Sequence, residues 1–392
     1  MNPGPRTPVY EMDKLYPWFC LKNVPGIGNH LFKRLIDRFN LPEAVFQASQ
    51  MELLEVEGIS KRQSDAILNY TAPHSIKAEL DQANQKGYKI ITLADSSYPP
   101  LLREIPDPPP FLYVSGSLEG SPKNIAVVGS RNPTAYGIST TQKLCADLSA
   151  HDITIVSGMA VGIDTAAHRG ALAAKGKTVA VLGSGFNKIY PSQNLSLFKR
   201  ISEEGAVISE FALNTEPEAH HFPIRNRIIS GMSMGTVVVE ATRKSGSLIT
   251  ARLAADQNRE VFAVPGSIQS FKSTGTHALI KQGAKLVENA QDVIEELTAY
   301  MDMGPPDLHE DRTQNHPAKR LTALPPEELA VCNNLSPYPE HIDTITRRTH
   351  IESGKLLSLL LQLELKGIVQ QLPGKYFALS ENKNASEQKE KS

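Results

Sequence analysis

Six short apolar runs, separated by five amphipathic helical patterns, constrain the fold of this 392-residue chain more than any other feature. The runs are Ile125–Gly129, Ile153–Ser157, Thr178–Leu182, Ala206–Ser209, Thr236–Glu240 and Glu260–Val264. Between them lie Thr134–Ala150, Ile163–Lys175, Leu195–Glu203, Ile224–Met232 and Ser247–Gln257, each carrying apolar residues at helical spacing. Strands this apolar lack the in–out alternation of a half-exposed sheet. Both of their faces must therefore be covered, which predicts a mostly parallel sheet between helical layers. Right-handed crossovers then put every strand-to-helix turn on one edge of that sheet.

The turns assigned to that edge are rich in small and hydroxylated residues. They read Gly129-Ser130-Arg131, Ser157-Gly158-Met159-Ala160-Val161-Gly162-Ile163-Asp164, Gly183-Ser184-Gly185 and Ser245-Gly246-Ser247-Leu248. Glycines let a ligand approach the backbone closely, and the free N–H groups of a helix start favour an anion. Arg131 adds a forked cation suited to phosphate. Together the turns predict a phosphate-binding pocket, although in any one of them Ser and Gly could simply cap a helix. Phe222-Pro223-Ile224-Arg225-Asn226-Arg227 adds an aromatic and two arginines at a further helix start, a combination suited to phosphate contact and to stacking on an unpaired base. The other reading makes Phe222 a core residue and pairs the arginines with Glu210 or Glu240. Asp164 and His168, four apart on one helix, form with Ser157 a conceivable triad, but a helix-internal Asp–His pair is more often structural. His220 and His221 are adjacent rather than four apart, a poor spacing for a metal.

The flanks differ in character. Residues 1–72 read as an N-terminal domain of short helices with helix–hairpin–helix or SAM-like turns. Val24-Pro25-Gly26-Ile27-Gly28 is the fuller turn, and Val56-Glu57-Gly58-Ile59 a second in which Ser60 replaces the last glycine. Such turns can either hold a fold together or offer N–H groups to a DNA phosphate. Residues 73–300 carry the α/β pattern, preceded by strand-like Tyr88–Leu93 and Phe111–Val114. Residues 301–320 read as a solvated linker and 321–380 as a winged-helix-like module, with helices at Pro326–Asn333, His341–Thr346 and Glu352–Lys366 and a wing turning at Gly374. Residues 381–392 are a polar tail expected to be disordered. A hydrophobic fraction of 40% with 21% charged residues is that of a soluble globular protein, and a net charge of −1 argues against wholesale coating of nucleic acid. Cys20, Cys145 and Cys332 are too scattered for a disulfide framework or a cysteine metal site. No run approaches the ~18–20 apolar residues of a membrane span, and Met1–Lys14 lacks a signal-peptide core, so a cytoplasmic location is expected.

The motifs between Tyr88 and Tyr300, in their order, resemble the DNA-processing protein A family (DprA, also called Smf). They are Gly129-Ser130-Arg131, Ser157 through Asp164 with Ala167-His168, Tyr190-Pro191, Phe222 through Arg227, Glu240-Ala241, Ser245-Gly246-Ser247-Leu248, Pro265-Gly266 and Gly283-Ala284. The resemblance implies a Rossmann-like domain flanked by an N-terminal helical domain and a C-terminal winged helix. It implies a cytoplasmic protein that binds and protects single-stranded DNA during natural transformation and helps load the RecA recombinase onto it. It also implies a homodimer formed through the Rossmann-like domain, with no catalytic activity, cofactor or metal. Carried over by motif, Ser130, Arg131, Ser157 and Gly158 would hold phosphates, Phe222 would stack on a base, and Arg225, Asn226 and Arg227 would build the pocket wall. The expected DNA-binding set is completed by Gly129, Gly162, Ser245, Gly246 and Ser247.

A rival reading from another class is a nucleotide-binding, phosphoribohydrolase-like enzyme on the same scaffold. Its Pro-Gly-Gly-x-Gly-Thr turn is only partly matched, by Gly235-Thr236 with Glu240, because Gly231-Met232-Ser233-Met234 replaces the preceding glycines. A dinucleotide-dependent oxidoreductase would need Gly-x-Gly-x-x-Gly after the first strand, and Gly129-Ser130-Arg131-Asn132-Pro133 does not supply it.

Overall fold

The computed structural model of the chain describes residues 9–118, 123–301 and 340–379 without 350, 367 and 373, together with positions 325, 331, 332 and 335. It divides into two compact units, Met1–Gly304 and Pro305–Ser392. The expected linker beyond Met301, most of the expected helix Pro326–Asn333, and the expected tail lie outside the described residues.

The first unit is built on a nine-stranded sheet. Its strands are β1 (Lys89–Thr92), β2 (Phe111–Gly116), β3 (Asn124–Gly129), β4 (Thr154–Ser157), β5 (Thr178–Val181), β6 (Ala206–Ser209), β7 (Gly235–Val239), β8 (Glu260–Ala263) and β9 (Lys285–Leu286). They lie in the order β1-β2-β6-β5-β4-β3-β7-β8-β9. From β6 to β9 every pairing is parallel, whereas β1 and β2 form an antiparallel edge. The chain first winds from β3 outward to β6, then returns to the other side of β3 as β7. The seam between β3 and β7 is thus the switch point of a doubly wound sheet, where ligands of such folds bind outside the carboxyl ends of the strands.

The apolar runs bury both faces, as a parallel sheet requires. Ile125 and Val127 join one core cluster, with Ile155, Val237 and Phe262. Ala126 and Val128 join the other, with Val156 and Val238. Helices α8 (Ala135–Ser149), α9 (Ile163–Ala173) and α14 (Ala290–Met301) supply Leu144, Ala167 and Leu297 to the first. Helices α11 (His221–Gly231) and α12 (Ser247–Asp256) supply Ile228, Ile229 and Ala251 to the second. Each large side chain buried in this way contributes roughly 1.5–3 kcal/mol.

The N-terminal helices, expected as a separate domain, are part of the same unit. Helices α1 (Val9–Asn23), α2 (Asn29–Phe39), α3 (Pro42–Gln47), α4 (Gln50–Leu54) and α5 (Lys61–Leu68) share the second cluster with the sheet. Phe19 stacks on Phe111 of β2 with ring centres 4.1 Å apart. Both glycine turns are occupied internally. Gly28 opens α2, and the next residue, Asn29, donates to Glu210 Oε2 at 3.2 Å. Ser60 forms a capping box with Gln63, whose amide reaches Gly26 O at 3.2 Å. The residue after the first turn is thus tied to a carboxylate of the sheet region, one that Arg227 also holds.

Three elements depart from expectation. Helix α11 starts at His221, three residues before the expected Ile224. Pro223 is accommodated in its first turn, where no intrahelical N–H bond is lost. Helix α13 (Thr274–Lys281) and strand β9 have no counterpart in the sequence reading. The other helices described in this unit are α6 (Ser75–Gln85), α7 (Pro100–Glu104) and α10 (Leu195–Glu204).

The second unit has its own core. Leu356, Leu359, Leu360 and Leu363 of α16 (Ser353–Leu365) pack with Ile345 of α15 (Ile342–Thr349) and with Phe377. A small sheet orders β10 (Glu340–His341), β12 (Tyr376–Leu379) and β11 (Val369–Leu372) with the last in outer position, and Gly374 turns the wing at a φ of 87°. This is the winged helix.

Candidate nucleic-acid interface

A hollow of about 640 Å³ lies over the carboxyl ends of β3 and β7, at the switch point. Its floor is the turn that leaves β3. Gly129 closes the strand opposite Val239, and Ser130 and Arg131 follow it into the hollow. That turn is clamped from beneath by the start of α9. Ile163 N donates to Ser130 O at 3.1 Å, and Gly162 adopts a φ of +87° directly under the same carbonyl. A Cβ at Gly162 would stand 2.4 Å from Ser130 O, so only glycine fits. Gly162 thus positions Ser130 and Arg131 without lining the hollow itself.

The wall opposite is the first turn of α11. Phe222 is half-buried and lines the hollow, its edge against Gly183 and its ring 5.8 Å from that of Tyr190. Arg131 is exposed, forms no ion pair or hydrogen bond through its guanidinium among the described residues, and lies over the Phe222 face at 5.4 Å. Asn226 is half-buried in the lining, and its amide has no partner among the described residues.

The two arginines of the motif part company. Arg225 is only 3% exposed and lines the base of the hollow. Its Nη1 donates to Gly158 O at 2.9 Å and also to Val181 O, tying the turn after β4 to the end of β5. Gly158 is small because that guanidinium lies against it, 2.7 Å from where a Cβ would be. Burial pulls the Arg225 pKa down to about 10, with Asp164 opposing and Arg131 adding to the shift, and the group stays charged near neutrality. Burial likewise raises the pKa of Asp164, against the pull of Arg225. Arg227 does not reach the hollow. It pairs with Glu210 at 2.6 Å and Asp107 at 2.9 Å on the side of the N-terminal helices. The alternative reading, in which an arginine pairs with Glu210, holds for this residue.

Ser157 is also placed elsewhere than expected. Fully buried inside the sheet, its hydroxyl donates to Val127 O at 2.6 Å and faces no ligand. The expected phosphate role for the Ser157-Gly158 turn is therefore replaced by a supporting one. The same bond removes the conceivable triad, as does His168. His168 Nδ1 meets Thr178 Oγ1 at 2.7 Å, and that hydroxyl donates onward to Ile155 O, so the imidazole is the donor of the pair. Its Nε2 is buried without a partner, and burial lowers its pKa to about 3. Among the described residues no group of three or more His, Cys, Asp or Glu is placed to hold a metal.

The remaining rim is the loop from β7 into α12. Ser245 Oγ accepts from Thr242 N at 2.9 Å and shapes the loop, Gly246 caps α12 without a side chain, and Ser247 begins the helix. The Ser247 hydroxyl is buried at the hollow with no partner, an orphan beside the positive end of a helix. Lys244 also lines the hollow, exposed and free of ion pairs among the described residues. Sequence reasoning missed it. Its only signal was its place between Glu240-Ala241 and Ser245-Gly246-Ser247, which acquires meaning once β7 is seen beside β3.

Fold and hollow together define a Rossmann-like α/β protein. Around its switch point stand Arg131, Lys244 and the α12 start, groups with the chemistry to accept an anion, set about a half-buried aromatic ring. The family model described as DNA recombination-mediator protein A matches residues 89–298, and that of the DprA winged helix domain matches 315–375. Protein Smf of Synechocystis sp. is 36% identical over 384 residues, covering 91% of this chain and 96% of the relative. Protein Smf of Escherichia coli K12 is 39% identical over 330 residues, 83% and 87% of the two chains. The X-ray structure of DprA from Streptococcus pneumoniae superposes with a TM-score of 0.60 at 35% identity, over 74% of this chain and 99% of that one. This chain belongs to the DNA recombination-mediator protein A family, known as DprA or Smf.

Proposed function

We propose that the chain binds single-stranded DNA in the switch-point hollow, protects it during natural transformation, and passes it to the RecA recombinase, acting in the cytoplasm as a non-catalytic homodimer joined through the sheet unit. One observation carries the binding step. A half-buried aromatic, Phe222, lines a hollow whose unpaired cations, Arg131 and Lys244, suit phosphates. A base inside a duplex cannot reach such a ring, whereas an unpaired base stacks on it while its phosphates meet the cations and the α12 start. Ser130, Asn226, Gly246 and Ser247 complete the ligand-facing set; Gly129, Ser157, Gly158, Gly162, Arg225, Arg227 and Ser245 position it.

The enzymatic alternative is weakened by Glu240. Its carboxylate accepts from Thr134 N at 2.8 Å and from the Thr134 hydroxyl, so it caps α8 rather than facing the hollow. The test is competition between single-stranded and duplex DNA of one sequence at moderate salt. Binding that favours the single strand by about tenfold or more supports the proposal, and equal affinity for both contradicts it.

A further inference from the structure

The turn that forms the floor of the first hollow is also the wall of a second. On its far side lies a space of about 610 Å³, lined by Thr134, Tyr136, Glu240, Pro265, Ser270 and Ser273 among others. Three large apolar side chains stand out here, Tyr136 in the lining and Ile268 and Phe271 in the loop whose residues Ser267, Ser270 and Ser273 line the space. Tyr136 is 55% exposed, Phe271 69% and Ile268 91%. Neither the Tyr136 nor the Phe271 ring stacks on another aromatic among the described residues. Next to Phe271, Lys272 Nζ donates to Asn132 O at 2.7 Å, which places a second cation against the residue that follows Arg131. Its ammonium keeps two further donors. Tyr136 ties the opposite rim to the loop after β8 through a bond to Pro265 O at 3.4 Å. The carboxylate of Glu240 is committed to Thr134, leaving hydroxyls as the polar lining that can still bond.

We infer that this second hollow is a further subsite for the same DNA strand, with the exposed ring of Phe271 carrying a base beyond the one held at Phe222, and Lys272 sharing with Arg131 the phosphates between. The inference rests on the proposed single-strand binding at the first hollow. Its ground is continuity, because the two hollows share the turn from Gly129 to Thr134. Along that rim two cations also stand between two aromatics, in the order Phe222, Arg131, Lys272 and Phe271, an arrangement that suits a charged backbone running between two stacked bases. A second copy of the chain is the competing occupant of so exposed a ring.

The test uses the full-length protein and thymidine oligomers of two lengths, about 4 nucleotides to fill the first hollow only and about 20 to span both. Phe271→Ala should weaken binding of the long oligomer about fivefold or more, the low end for one lost stack, and leave the short one unchanged. Phe271→Trp should restore the long-oligomer affinity. Lys272→Gln should lower the salt slope of long-oligomer binding by about one. Light scattering on each variant should give the oligomeric state of the parent. Unchanged affinity for the long oligomer, an equal loss at both lengths, or a changed oligomeric state overturns the inference, the last because a second copy then covers the ring. Failure of the underlying reading looks different. In that case Phe222→Ala is silent at both lengths, whereas failure of this inference alone leaves Phe222→Ala damaging and Phe271→Ala silent.

Discussion

The guanidinium of Arg131 lies 5.4 Å from the centre of the Phe222 ring, and that of Arg225 lies 5.9 Å from the same ring. The two cations have different roles. Arg225 is buried and spends its donors on the carbonyls of Gly158 and Val181. Arg131 is exposed and unpaired, so a base arriving at Phe222 can take its place on the ring while the guanidinium turns to the adjoining phosphate.

Arg131→Ala should therefore weaken single-strand binding by about 1–3 kcal/mol, the scale of a lost charge-assisted contact. Its salt dependence should flatten by about one counterion, and the melting temperature should not move. Fluorescence anisotropy titrations at several salt concentrations measure both. Parent-like binding by the variant would place the phosphate site elsewhere.

Arg225→Met should behave in the opposite sense. Removing the guanidinium takes a donor from two carbonyls and the main countercharge from the buried Asp164, a loss of about 3–5 kcal/mol. Arg225→Lys should recover only part of it: both bonds come from the single Nη1, which an ammonium could replace, but the lysine side chain ends one bond short of that nitrogen. Urea unfolding of the two variants reads this directly. A variant as stable as the parent, yet defective in binding, would make Arg225 a ligand contact after all.

The contrast between these arginines marks the limit of what the sequence reveals. The apolar runs were legible because each strand buries both faces, as Ile125 and Val127 on one side and Ala126 and Val128 on the other demonstrate. The convergence of the turns followed from the parallel order. Arg225 and Arg227 look equivalent in the motif, but two helical steps turn them about 200° apart, one toward Gly158 and the other toward Glu210. Ser157 reads as a ligand group because its hydroxyl ends an apolar run; only the sheet shows that it bonds to Val127. Helix α13 begins Thr-Gly-Thr, weak helix formers held by tertiary packing, and β9 has only two residues, too few for any periodicity.

His168 makes stability depend on acidity. Its pKa falls from the ordinary 6.5 to about 3 because the imidazole is buried, and its Nε2 has no partner there. Below about pH 6.5 the unfolded chain takes up a proton at this residue and the folded chain does not. The contribution is therefore present above the ordinary value and is lost as pH falls toward the folded one. Between about pH 7 and about pH 5 the parent should lose about 1–2 kcal/mol more stability than His168→Gln, whose side chain does not titrate. Urea unfolding at the two pH values checks it. Parallel losses in both proteins would mean that His168 protonates freely in the folded state.

The central claim is that Phe222 is a platform for an unpaired base, and the Phe222 series tests it most directly. Melting temperature and single-strand affinity should be measured together on Phe222→Ala, Phe222→Trp and Phe222→Leu. The ring is half-buried and backed by Gly183, so Phe222→Ala should cost less than the ~3–5 kcal/mol of a filled core site. Its binding should weaken by about 1–3 kcal/mol with little change in salt slope, because no charge is removed. Phe222→Trp should keep most of the affinity, and Phe222→Leu, similar in hydrophobicity but without a π-face, should not. A large fall in melting temperature with unchanged affinity across the series would contradict the account and make Phe222 a core residue.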